Sequence, residues 1–276
     1  MFIWIYDMPT WTMVMMVTGT LVGVTWVGII FVRPILNAFV RSEPSKNNIV
    51  SCLLGSHGTF FGILLGLLAL SAYQNLSETD KTVTVEASRM AAMYRDISAY
   101  PEPTRSRLQR HLREYTRFVI DEAWPLQRKG IIPTGGTKIV TQFQNELVTF
   151  EPQTKGQEVL HAETMRMFNS FIEARRLRLF SVESGIPALM WYVVWIGVAI
   201  NMVLIWLLDV RILPHLVLGA ISTLFLATLI ALIAAMDHPF IGEVSISPKA
   251  YEVVYQDLML ATDKGTSPAA SADKGN

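Results

Sequence analysis

The chain has 276 residues, of which 51% are hydrophobic and 17% charged, and its formal net charge is zero. A protein that grips nucleic acid needs a basic excess to displace phosphate counterions, so charge alone excludes that partner. The single cysteine, Cys52, permits neither an internal disulfide nor a cysteine metal cluster, and within its apolar run it reads as a small core residue.

A membrane-spanning helix takes about twenty mostly apolar residues, because unpaired backbone groups are costly in lipid. Four runs qualify. The first covers residues 11–32 with no Lys, Arg, Asp or Glu, and ends at Arg33-Pro34. It is too long for the apolar core of a secretory signal, and the opening MFIWIYDMPTW has no basic residue, so a retained anchor is expected. Trp4, Tyr6 and Trp11 precede it as an interfacial aromatic belt.

The second run covers residues 49–73 and ends at Tyr73. Ser51, Gly55, Gly58, Gly62, Gly66 and Ala69 recur along it at spacings of three and four. Such a stripe lets another helix backbone approach closely, either as a packing seam within or between subunits or, where the helix lines a central pathway, with the glycines against a neighbour. Phe60, Leu64 and Leu68, spaced by four, would then face a constriction that gates by dewetting. His57 lies near one end of the run; it reads either as an interfacial, hydrogen-bonded neutral imidazole or as a functional ionisable group.

From residue 74 to 185 the composition turns charged, with the apolar periodicity of amphipathic helices. Val83, Ala87, Met90, Tyr94 and Ile97 mark a stripe over residues 75–100, with Glu78, Asp80, Glu86, Arg89 and Arg95 assigned to other faces. A second helix starts at Thr104, carries Leu108, Leu112, Tyr115 and Val119, and ends near Trp124-Pro125. Arg105, Arg107, Arg110, Arg113 and Arg117 read as its solvated face, with Glu102, Glu114 and Asp121 as partners, or as a basic face that steers anions toward a pore mouth or binds anionic lipid heads. A shorter helix is predicted over 137–150 and a long one over 154–184, which Gly185 and Pro187 kink before the third span.

Spans three and four, residues 187–208 and 212–236, form a hairpin because only Asp209-Val210-Arg211 joins them. Trp191, Tyr192 and Trp195 mark an interface near the start of span three, Asn201 needs an interhelical partner within it, and Pro214 falls in the first turn of span four. Asp237 and His238 follow span four, where two residues do not make a metal site. The sequence shows no phosphate loop, nucleophile elbow or zinc helix, and Glu122 has no acid–base partner at a demanding spacing, so no enzyme and no cofactor are expected.

The predicted fold is therefore an all-α integral membrane protein of four transmembrane helices, with a helical-bundle extramembrane domain inserted between helices two and three. Its divisions are 1–73, an N-terminal helix pair; 74–185, the helical domain; 186–236, a transmembrane hairpin; and 237–276, a C-terminal segment disordered after about residue 263. Even spans place the domain and both termini on one side. Arg33, Arg41 and Lys46 argue that the first loop is cytoplasmic, whereas Arg175, Arg176 and Arg178 argue that the domain is.

Three segments carry a resemblance. They are His57-Gly58 through Gly62 and Gly66 in span two with Tyr73-Gln-Asn-Leu after it; Glu86-Ala-Ser-Arg89 through Asp96, with Glu122-Ala-Trp124-Pro125; and Asp237-His-Pro239-Phe240-Ile-Gly242 leading to Ser247-Pro248. With these the chain resembles the bestrophin-like family of membrane proteins, and more distantly the bestrophin ion channels. The resemblance implies a homo-oligomer, a pentamer if the bestrophin layout holds, in a bacterial plasma (inner) membrane. It implies a pore lined by the second helix, passing ions, anions among them, and a cytoplasmic helical domain. The acidic calcium clasp of animal bestrophins has no counterpart here. The lipid bilayer and ions are the expected partners. A non-conducting scaffold or sensor, whose helical domain recruits a partner, fits the polar-poor spans as well; a transporter lacks its inverted repeat.

Overall fold

A computed structural model describes residues 9–39 and 45–261. The expectations for Trp4, Tyr6, Arg41 and the tail after residue 263 lie outside the described residues. All regular elements among the described residues are helical: α1 (Thr10–Val27), a π-turn (Gly28–Val32), α2 (Arg33–Phe39), α3 (Lys46–Ile97), α4 (Thr104–Phe118), a second π-turn (Val119–Ala123) and α5 (Trp124–Gln127). There follow α6 (Gly136–Thr149), α7 (Lys155–Phe180), a 3-10 turn (Ser181–Glu183), α8 (Ala188–Leu207), α9 (Ile212–Met236), α10 (Lys249–Val253) and a last π-turn (Val254–Met259).

Four helices are long and apolar enough to cross a membrane: Thr10–Ala38, Lys46–Ile97, Lys155–Leu207 and Ile212–Met236. The third is broken at residues 184–187, where Gly185 and Pro187 stand, rather than merely kinked. The second departs from expectation in the other direction. Span two and the helix expected from residue 75 are one helix, α3, of 52 residues. At a rise of about 1.5 Å per residue it is about 78 Å long, more than twice a hydrocarbon core. No glycine or proline occurs from residue 67 to 100, so nothing breaks the helix where its composition changes.

The chain divides into two compact units. Unit 1 takes the described residues of Met1–Leu76, Ser184–His238 and Gly242–Ser245. Its core joins Leu21 of α1, Phe61, Leu65 and Leu68 of α3, Trp191, Val194, Val198 and Met202 of α8, and Leu226 and Ile230 of α9. In a lipid-facing bundle polar groups must find partners inside. Thr25 and Thr223 therefore join their hydroxyls at 2.9 Å between α1 and α9, and Trp26 donates its indole N–H to the Leu216 carbonyl at 3.1 Å. Trp206 lies over Gly28, which opens the first π-turn, and donates to the Thr25 carbonyl at 3.2 Å. A side chain at 28 would overlap that indole.

At one end of unit 1 a polar latch closes the helix ends. Arg33 donates to the Asp209 carboxylate at 2.8 Å and to the Val210 carbonyl at 2.7 Å. Asn47 brackets Asp209, donating to its carbonyl and accepting its N–H, both at 2.8 Å, while Lys46 donates to Asn37 at 2.6 Å.

Unit 2 takes the described residues of Ser77–Glu183, Pro239–Ile241 and Ile246–Asn276. Its core gathers Val83, Ala87, Met90 and Ile97 of α3, Leu108, Leu112 and Tyr115 of α4, Phe143 and Leu147 of α6, and Phe168 and Phe171 of α7. Glu86, grouped from the sequence with charges that lie mostly off the apolar stripe, is fully buried. Arg178 is likewise buried rather than a free charge beside span three. The Arg run of α4 does lie among carboxylates: Arg105 with Glu102, Arg107 with Glu146, Arg110 with Glu114 and Arg117 with Asp121.

Candidate functional site

Within unit 1, α3 presents two faces of opposite character. Phe61, Leu65, Leu68 and Ala72 turn into the bundle and are buried. Phe61 fills a notch at Gly197 of α8, where a side chain would overlap its ring. His57, half-buried one turn away, stacks on Phe61 with ring centroids 5.3 Å apart. Its Nε2 lies 3.1 Å from the Gly197 carbonyl; a carbonyl can only accept, so Nε2 carries the proton that binds the two helices.

The other face holds Gly55, Gly58, Gly62 and Gly66, all exposed, and a methyl group added at any of them would meet no atom within 4 Å. Exposed glycine costs a helix about 1 kcal/mol per residue relative to alanine. The chain's own packing does not use this stripe. Phe60, at 72% exposure, lies two residues from both Gly58 and Gly62 and so about 160° around the helix from each; the exposed Ile63 and Leu67 are on its side, and Leu70 stands between the two. Leu64 is partly buried against the core and Leu68 is buried in it, so the three residues spaced by four do not share one face. Cys52, read as a core residue, is exposed on α3.

The remaining residues singled out from the sequence lie elsewhere. Trp124 is buried in unit 2, while its neighbours Glu122 and Pro125 are exposed. Its indole donates to the Ile246 carbonyl at 3.1 Å, and Phe240 and Tyr251 meet its ring edge-on at 5.5 and 5.8 Å. Pro239 is buried and its carbonyl accepts the Ile246 N–H at 2.9 Å, closing the turn in which Gly242 adopts a φ of 92°, a conformation that favours glycine. Asp237 is buried in unit 1, where its carboxylate accepts the Ile186 N–H at 2.6 Å and the Trp191 indole N–H at 3.2 Å.

Around Trp124 lies a charged cluster that the sequence did not disclose. Arg178 of α7 donates to Glu86 of α3 at 2.6 and 3.2 Å, and Tyr115 of α4 donates to the same carboxylate at 2.7 Å. The guanidinium also sits 5.9 Å from the Trp124 ring and 5.7 Å from the Tyr251 ring. Burial, then the Glu86 charge, pushes the Tyr115 phenol well above its ordinary value, and burial does the same for Tyr251. Burial acts to lower Arg178, but the charge and hydrogen bond of Glu86 together with the Tyr251 and Tyr115 phenols outweigh it, and the guanidinium is held more firmly charged than usual. The cluster is sealed from solvent, so it pins helices rather than meeting a substrate. Among the described residues no three His, Cys, Asp or Glu side chains gather as metal donors.

No curated protein matches the chain significantly. A solved structure of a bacterial bestrophin homologue from Klebsiella pneumoniae, carrying a point mutation, matches over 90% of this chain and 98% of its own. The TM-score is 0.61 at 11% sequence identity, a likeness of fold. A family model, the Bestrophin-like domain, matches residues 19–251. That match takes in both faces of α3, the Glu86–Arg178 pair and the Asp237 turn: the chain is a membrane protein of the bestrophin-like family.

Proposed function

We propose that the chain is an oligomeric ion channel whose pathway is lined by α3, with the glycine face packed against a neighbouring copy. The observation that supports this reading is the outward stripe Gly55, Gly58, Gly62 and Gly66, which no atom of the chain covers. In a bestrophin-like chain, copies arranged around an axis, five if the bestrophin layout holds, would bring these faces together. Glycine then lets the α3 helix of one copy pack closely against its neighbour, while Phe60, about 160° around the same helix, supplies the narrow, dewetting point. Because Leu64 and Leu68 turn inward, the constriction in this reading belongs to Phe60 and the exposed Ile63 and Leu67 rather than to a row spaced by four. Anions are the favoured cargo by analogy with bestrophins. The helical unit lies outside the bilayer between the second and third spans, and the membrane is the inner membrane of a bacterium.

The test is ion flux from sealed liposomes holding the purified protein, under separate chloride and potassium gradients, with Gly62→Leu beside the wild type. Flux that Gly62→Leu reduces supports the reading and names the ion. A homogeneous oligomer that passes neither ion would overturn it in favour of a membrane scaffold.

A further inference from the structure

The break before α8 is held by a side chain that the conduction reading has not used. Residues 184–187 are non-helical, and α8 begins at Ala188 behind Pro187, without a side-chain cap of its own. Asp237, at the end of α9, instead holds the segment just before the helix and a side chain of its first turn. It is 1% exposed, and its two carboxylate oxygens are divided between the two sides of the break: Oδ1 accepts the backbone N–H of Ile186 at 2.6 Å, and Oδ2 accepts the indole N–H of Trp191, in the first turn of α8, at 3.2 Å. Gly185 is pressed against the same corner. A Cβ there would stand 2.9 Å from the His238 ring and 3.2 Å from the Asp237 carboxylate. From α3, Asn75 donates to the Ser184 hydroxyl at 3.2 Å. Ser184 and Ile186 are thus held by hydrogen bonds from α3 and from the end of α9, with Gly185 close against the latter.

What α8 then carries is the inner face of α3. Gly197 receives Phe61 and its carbonyl holds His57, and the glycine stripe flanks that same stretch of α3, Gly62 lying about 100° around the helix from Phe61 and Phe60 about 100° the other way. We infer that Asp237 is a positioning residue for gating: its carboxylate fixes where α8 starts, and α8 in turn fixes the seat of the α3 face that walls the pathway. The inference rests on the channel reading for its consequence, but not for the clasp itself. A hydrogen bond to a charged group contributes more than a neutral one, and losing one partner leaves the other buried and unsatisfied, so removing the carboxylate releases the clasp at a cost.

The experiment combines hydrogen exchange over residues 184–192 with single-channel or liposome flux, on the assembled protein in lipid. Asp237→Ala removes both bonds and should speed exchange of the Ile186 amide by about tenfold or more. Asp237→Asn keeps an acceptor for Ile186 but presents an N–H to the Trp191 N–H. Trp191→Phe in the Asp237→Asn background removes that conflict, and should return both exchange and open probability toward wild type. This rescue is what a merely structural role would not give, because the double variant loses more packing than the single. Unchanged protection at Ile186 in Asp237→Ala overturns the clasp. Lost protection with unaltered open probability overturns the gating role. A wild type that passes no ion refutes the channel reading and with it the gating role, while the exchange data still decide the clasp.

Discussion

Phe61 of α3 occupies the volume that a side chain at position 197 of α8 would need, so the two spans meet through a glycine notch. The Trp206 ring sits over Gly28 in the same way between α8 and α1. In lipid, where apolar contact alone gives little preference for protein over acyl chain, such close approach is what holds helices together.

Adding one methyl at either notch should therefore cost more than adding it on the open stripe. Overpacking of this kind costs about 1–3 kcal/mol. Gly197→Ala and Gly28→Ala are expected to lower thermal stability in detergent, whereas Gly62→Ala, which meets no atom within 4 Å, should raise the single subunit's stability by up to about 1 kcal/mol. Melting curves read on monomer and oligomer separately check this. Equal loss at 62 and 197 would show that the stripe is already packed within the chain.

The Glu86–Arg178 pair should behave as a buried ion pair does. Removing one member leaves an uncompensated charge, and Glu86→Ala or Arg178→Ala is expected to cost about 3–5 kcal/mol. Replacing both together, Glu86→Leu with Arg178→Met, should recover most of that loss. Tyr115→Phe removes one bond to the carboxylate and should cost about 1–3 kcal/mol. Unfolding measured as a double-variant cycle gives the coupling directly, and additive single losses would contradict the pairing.

Alkaline stability follows from the phenols of the same cluster. Burial raises Tyr115 and Tyr251 above their ordinary value of 10.0, so the folded state keeps their protons where the unfolded state releases them. The unfolded state then binds fewer protons, and stability falls as pH rises. The contribution is whole below about pH 10 and is lost progressively above it. Stability profiles from pH 8 to about 11.5 should slope downward at the alkaline end. Tyr115→Phe, less stable at neutral pH, should show a shallower slope, and an unchanged slope would mean the phenol is not sealed.

The four spans were legible because run length and the absence of charge are local properties, and the bundle between them because apolar spacing is. The continuity of α3 was also open to reading. Composition shifts at Gln74, but only Gly or Pro would have ended the helix, and neither occurs before Pro101. Glu86 and Arg178 were hidden for the opposite reason. Each charge has an apolar neighbour three or four residues away, Val83 and Met90 for one and Ala174 for the other. Only the fold reveals that the two stripes face each other. The expected row Phe60, Leu64 and Leu68 failed on helix geometry. Four residues turn a helix by about 400°, so each step drifts about 40° and the row rotates about 80° from end to end.

That rotation carries the last prediction. Phe60 is 72% exposed and Leu68 only 8%, so the two ends of the expected row should respond to alanine in opposite ways. Leu68→Ala opens a hole among the α3, α8 and α9 side chains and should cost about 2–4 kcal/mol of subunit stability. Its effect on flux would follow from the amount of folded protein. Phe60→Ala removes a ring that touches little of its own chain, and should leave subunit stability within about 0.5 kcal/mol while raising flux per assembled channel. Flux normalised to folded oligomer separates the two. If Phe60→Ala leaves normalised flux unchanged, the ring faces lipid or a neighbouring helix, and the wall of the pathway must be sought on another face of α3.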